Sequence, residues 1–170
     1  GANDYITLPP SSDYQFGDGD FTIEWWENQV SRPSGFASII HFGAIGASAQ
    51  YGSADLGIRY ESGTSIRVGY VGGYIDFTVA STPFNVWRHC AVVREGNQIK
   101  LYRNGILEDT QSFTATLGNP SGNGAIGAGY YGGNPAGFYL SNYYMQDLRV
   151  YKGVAKYTSN FIPASTNPDI

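Results

Sequence analysis

His89 and Cys90 stand side by side in NVWRHCAVVREGNQIKLYRNG, residues 85–105, the densest group of reactive side chains in the chain. A thiolate nucleophile with an imidazole base is the chemistry such a pair would offer. The pattern around it argues otherwise. Trp87, His89, Ala91 and Val93 fall on one face of a strand and Arg88, Cys90, Val92 and Arg94 on the other, so the imidazole and the thiol point apart. His89 therefore reads as a buried, hydrogen-bonded histidine and Cys90 as a small hydrophobe. His41, in SIIHFG, has no metal-ligand spacing around it and reads as His89 does. Asp18 and Asp20 in GDGD offer carboxylate oxygens to a hard cation, but Asp-Gly pairs more commonly form turns.

The elements that would position such groups are strands. Glycine and proline punctuate runs rich in Val, Ile, Tyr, Phe, Trp and Thr, the pattern of many short strands. The expected strands are 4–8, 21–28, 37–42, 55–60, 65–71, 74–80, 87–94, 98–103, 106–110, 124–127 and 139–151. Asn104-Gly105 is the pair best suited to a two-residue hairpin turn, because both positions tolerate positive φ. No segment has a long apolar stripe at helical spacing; GVAKYTSNF, near the C-terminus, is expected to make one short helical turn. The stretch 118–137, with eight glycines, is the longest loop-like segment. Hairpins without helices or linkers predict one all-β antiparallel sandwich over residues 1–170.

Composition narrows the partners. A net charge of −4 with ten scattered Lys and Arg lacks the basic footprint of a nucleic-acid binder. No apolar run approaches the ~20 residues of a membrane-spanning helix, so no membrane insertion is expected. No signal peptide is visible, and the start at Gly1 suggests a module cut from a larger protein. One cysteine excludes an internal disulfide.

FTIEWW, NVWRHCAVVREGNQIKLYRNG and MQDLRVYKGVAKYTSNFIP resemble, in that order, landmarks of the laminin-G-like group of concanavalin A-like lectin/glucanase domains. The middle segment is similar to W-x-H-x-A-V-x-R-x-G-x-x-x-L-Y-x-N-G. The last is similar to the D-x-R-[IV]-x-K-G-V-A-[RK]-Y-T-x-N-F-x-P ending of modules from bacteriophage structural proteins and marine bacterial surface proteins. The resemblance implies a jelly roll that binds glycans at its rim or curved face, with calcium in some members, on a virion or at the cell surface. Fold carries architecture better than activity.

Within that resemblance, a hydrolase would need paired carboxylates on one strand face about 5 Å apart. Glu24 and Glu27 are the best match, and their odd separation sends them to opposite faces. Asp55, after the loop GASAQYGSA, is the one side chain that can be named for a rim calcium. Tyrosine is the informative enrichment, 14 in 170 residues. Tyr51, Tyr60, Tyr70, Tyr74, Tyr130, Tyr131 and Tyr139 lie in or beside glycine-rich turns, where a ring offers an apolar face and a hydroxyl to a sugar. Packing over glycine or burial in a subunit interface would use the same residues. The expected glycan contacts are Tyr130, Tyr131, Asn134, Tyr70 and Tyr74. The leading expectation is a non-catalytic glycan-binding or adhesion module, not an enzyme. A virion assembly module that meets other subunits, or copies of itself in a homo-oligomer, and a glycoside hydrolase are the alternatives.

Overall fold

The computed structural model describes residues 4–31, 36–43, 56–81, 83–120, 122–128, 130–131, 134–135 and 142–164. They form two compact units, each built on one sheet. One unit carries a six-stranded sheet in the order β1 (Ile6–Leu8), β10 (Gly124–Ile126), β3 (Ala37–Phe42), β4 (Leu56–Ser62), β5 (Ser65–Tyr70), β6 (Gly73–Thr78). It also holds a ribbon of β11 (Tyr130–Tyr131) and β12 (Asn134–Pro135). The other unit carries a five-stranded sheet in the order β13 (Asn142–Lys152), β2 (Phe21–Ser31), β7 (Trp87–Glu95), β8 (Gln98–Arg103), β9 (Ile106–Ser112).

The expected strands are found with small shifts at their ends, and the ribbon is an addition to the segment read as loop. A single 3-10 turn, Ser12–Tyr14, is the helical element among the described residues, with the Ser11 hydroxyl accepting from the Asp13 N–H at 3.1 Å. GVAKYTSNF is not helical; residues 154–164 run as an extended strap with a bend at 158–159.

Alternation sorts the five-stranded sheet. Phe21, Ile23, Trp25, Cys90, Val92, Ile99 and Leu101 share one face and are fully buried. Thr22, Glu24, Trp26, His89, Ala91, Val93 and Tyr102 share the other, and the strap lies over it, Tyr157 and Phe161 packing on Ala91, Val93 and Tyr102. Strand residues supply the strap's backbone partners. The Thr22 hydroxyl donates to the Val154 carbonyl and accepts from the Lys156 N–H, both at 2.9 Å. The Phe161 N–H donates to the Gly105 carbonyl at 2.9 Å, and Asn160 Oδ1 accepts from the Leu107 N–H. The expected turn is present, with φ of 49° at Asn104 and 77° at Gly105. Asn104 also ties it down, its side chain accepting from the His89 N–H at 3.0 Å.

Candidate functional site

In the six-stranded sheet, register places Arg67 opposite Asp76, Gly69 opposite Tyr74, and Arg59 beside Arg67. Arg67 donates from Nε and a terminal nitrogen to both Asp76 oxygens at 2.7 Å each, the two-pronged geometry that fixes a guanidinium plane. That plane lies 3.7 Å from the centre of the Tyr74 ring. Tyr74 stands across from a residue without a side chain and is 56% exposed. Glu61 sits between the two arginines, 2.7 Å from Arg59 and 3.2 Å from Arg67, and Phe36 stacks on Arg59 at 4.1 Å. The arrangement is an aromatic ring braced from behind, beside groups that can donate and accept. A sugar uses this combination: its C–H face meets the ring and its hydroxyls meet the polar flank.

The other expected contacts separate. Tyr70 is half-buried, and its hydroxyl lies 2.9 Å from where a side chain on Gly73 would begin, so it packs over that glycine. Tyr130 pairs with Pro135 and Tyr131 with Asn134 in the ribbon, which brings those three backbone positions together. Tyr60, read as turn-flanking, is fully buried because β4 is an inner strand of its sheet. Asp55, Tyr51 and Tyr139 lie outside the described residues. Among the described residues no group of three or more His, Cys, Asp or Glu could hold a metal.

The five-stranded sheet holds a second constellation, which sequence reasoning left unassembled. Glu24 is 3% exposed and accepts at one oxygen from Lys156 at 2.7 Å and from the Tyr151 hydroxyl at 3.2 Å, and at the other from the Tyr157 hydroxyl. His89 Nε2 lies 3.6 Å from Glu24 Oε2, and Arg149 approaches at 3.9 Å. Burial alone would raise the Glu24 pKa. Hydrogen bonds from His89, Lys156 and Tyr157, with the Lys156 charge, outweigh it and hold the carboxyl at about 2. Burial lowers the Lys156 pKa, but its bonds to Glu24, Tyr157 and Tyr151 raise it further. A carboxylate so locked is ionised at any physiological pH and has no proton to give.

His89 is buried as expected; Trp26 stands across from it and the Glu24 carboxylate lies diagonally beside it, and its Nδ1 has no partner among the described residues. Glu27 lies on the opposite face, accepting from the Trp25 indole at 2.9 Å with Arg88 at 3.8 Å. Asp147 pairs with Arg149 at 3.4 Å. His41 is fully buried at Gly43, and burial pulls its pKa to about 4 against the raising effect of the Gly43 carbonyl. Cys90 is fully buried, and burial pushes its thiol well above the ordinary range. Ellman's reagent is expected to leave the native protein untouched and to titrate one thiol in denaturant. Prompt reaction of the folded protein would contradict the burial.

Two antiparallel sheets, with a single 3-10 turn as the helical element among the described residues, define an all-β protein. Residues 1–156 match the family model of the concanavalin A-like lectin/glucanases superfamily, and the chain belongs to that family. No curated protein sequence matches it. Among solved structures it is similar to a Trypanosoma rangeli sialidase (20% identity, TM-score 0.61, covering 89% of this chain and 24% of the sialidase). It is also similar to a candidate carbohydrate-binding protein from Bacteroides ovatus (18%, TM-score 0.65, 90% and 42%). A third similar structure is domain 4 of a GH43 extracellular arabinanase from Geobacillus stearothermophilus in complex with arabinotriose (15%, TM-score 0.62, 88% and 66%). At these identities the likeness is one of fold. The chain spans about a quarter of the sialidase and under half of the Bacteroides protein.

Proposed function

We propose that the chain is a non-catalytic carbohydrate-binding module, part of a virion or cell-surface protein, that holds glycan against the polar face of its six-stranded sheet. The observation that carries the reading is Tyr74: a ring 56% exposed and braced on Arg67, which Asp76 locks in place. Bracing removes rotamer freedom before the sugar arrives, so less entropy is lost on binding. The separation of Glu24 and Glu27 onto two faces supports a binding role over hydrolysis. The family, with a carbohydrate-linked Bacteroides protein and an arabinotriose-bound arabinanase domain among the similar structures, supplies the ligand class.

Tyr74→Ala is expected to weaken binding in an oligosaccharide panel at least about tenfold, the worth of one stacked ring. Circular dichroism should stay unchanged, because the ring is largely exposed. Wild-type affinity in this variant for every sugar that binds would refute the platform. A stable oligomer that binds no sugar would assign the tyrosines to subunit contacts instead.

A further inference from the structure

We propose that the shallow cleft bordered by Trp26, Asp147, Arg149 and Lys156 is a second saccharide site, one that takes the hydroxyl edge of a neutral sugar residue. It shares the ligand class of the reading above but none of its residues, and it lies wholly within the unit of the five-stranded sheet.

Four observations converge on it. The pocket is a shallow cleft with about 20 Å³ of enclosed volume, room for about one water, so a sugar meets it by one edge of a ring and does not enter it. Its lining sets two carboxylates, Glu24 and Asp147, against two permanent cations, Arg149 and Lys156. A site with no net charge favours neither sign of ion and suits a ligand whose hydroxyls both donate and accept.

The groups also differ in how fully they are engaged. Glu24 and Lys156 are bound to each other at 2.7 Å, whereas Arg149 and Asp147 are 47% and 46% exposed. Arg149 stands 3.4 Å from Asp147 and 3.9 Å from Glu24, longer than the ~2.7–2.9 Å of a charged hydrogen bond. Arg149 also bonds to Tyr151, but a half-exposed guanidinium has further N–H groups, so a donor and the Asp147 acceptor stand side by side at the mouth of the cleft. Trp26 supplies the aromatic wall at a strand position where alternation calls for a polar residue. His89, which also lines the pocket, is 4% exposed and leaves Nδ1 unpartnered among the described residues.

The backbone at Asp147 is the independent observation. Its φ is 53°, inside the 11-residue strand β13, whereas the other non-glycine residues of positive φ among those described, Asn85 and Asn104, lie outside strands, in a bend and a turn. A left-handed residue within a strand breaks the pairing rhythm and turns its side chain out of the alternation. Such strain is characteristic of positions where a side chain must be aimed.

The test uses methyl glycosides of glucose, galactose, mannose and arabinose, with glucuronic and galacturonic acid as charged counterparts. Binding is followed through the indole signals of ¹⁵N-labelled protein. At least one neutral glycoside is expected to shift Trp26 and leave the fully buried Trp25 still. Arg149→Ala and Asp147→Asn each weaken that binding about tenfold or more, the worth of a charged hydrogen bond. Both residues are half exposed, so the fold should persist. Asparagine also keeps the tolerance for positive φ.

Repeating the titration in Tyr74→Ala separates the two sites. A Trp26 shift that survives there and disappears in Arg149→Ala establishes this pocket, whatever the fate of the Tyr74 platform. Binding lost in Tyr74→Ala but intact in Arg149→Ala and Asp147→Asn overturns the pocket and leaves the platform standing. Preference for the acids, or no Trp26 shift with any sugar at tens of millimolar, also overturns it.

Discussion

Glu24→Gln is expected to cost about 3 kcal/mol of folding stability, measured by urea denaturation at pH 7. The carboxylate is 3% exposed, and it is the acceptor on which Lys156, Tyr157 and Tyr151 converge. Removing one partner of a buried charge pair typically costs about 3–5 kcal/mol, because the other charge is left without its counterpart. Lys156 is 30% exposed and regains some water, which places the loss at the lower end. Acid titration gives an independent measure. A carboxyl that titrates near 4.5 unfolded and about 2 folded contributes about 3 kcal/mol above the unfolded pKa. Because the folded pKa is the depressed one, that contribution disappears as pH falls from 4.5 to 2. Wild type should therefore lose about 3 kcal/mol relative to Glu24→Gln across that window, and the two stability curves should meet near pH 2. Parallel acid limbs would show that Glu24 gains nothing from the fold. The raised Lys156 pKa describes the same interaction from its other end, so the two shifts are not added.

The part of this network that the sequence revealed was the direction of each side chain. Period-two alternation placed His89 and Cys90 on opposite faces and divided Glu24 from Glu27, and the registers of β2 with β7 agree. Alternation says nothing about what covers a face. Glu24 and Lys156 are 132 residues apart, and no local spacing joins them. The strap was misread for a related reason. Tyr157 and Phe161 stand four residues apart, the spacing of one helical face, and their rings do stack, 3.5 Å between centres and 5° from parallel. The backbone bonds of the strap run from Lys156 to Thr22 and from Phe161 to the turn at Gly105, so the periodicity of a helix arises in an extended chain.

Tyrosines illustrate the same boundary. Proximity to glycine selected Tyr60, Tyr70 and Tyr74 alike, yet one is buried, one half-buried and one exposed. Strand position decides among them. Tyr60 sits on an inner strand, whereas Tyr74 is on edge strand β6 opposite Gly69. The positive φ at Asp147 left no local mark either, since aspartate is common in strand-flanking positions and no glycine announces the change.

Gly105→Ala is the other substitution with a large expected effect, and it tests whether the strap is an integral part of this unit. Two costs add at this glycine. Its φ of 77° is left-handed, which costs an alanine about 1–2 kcal/mol. A Cβ there would also stand 1.9 Å from the Phe161 carbonyl oxygen and 2.9 Å from its carbon, backbone atoms that no side-chain rotation can move. The strap must shift, straining the bond from the Phe161 N–H to the Gly105 carbonyl and the ring contacts of Phe161 with Tyr102 and His89, both at 5.6 Å. A loss of about 3 kcal/mol or more is expected, with a changed near-ultraviolet dichroism signal from the displaced Tyr157. Gly96 provides the control. Its φ is 57° and nothing lies within 4 Å of a Cβ there, so Gly96→Ala isolates the backbone cost, about 1 kcal/mol. The difference between the two variants measures the strap's contact with the turn. Equal losses would mean that the strap yields freely, and Asn104-Gly105 would then be a hairpin turn alone. A larger loss at Gly105 makes the same two residues the joint where β8, β9 and the C-terminal strap are held together.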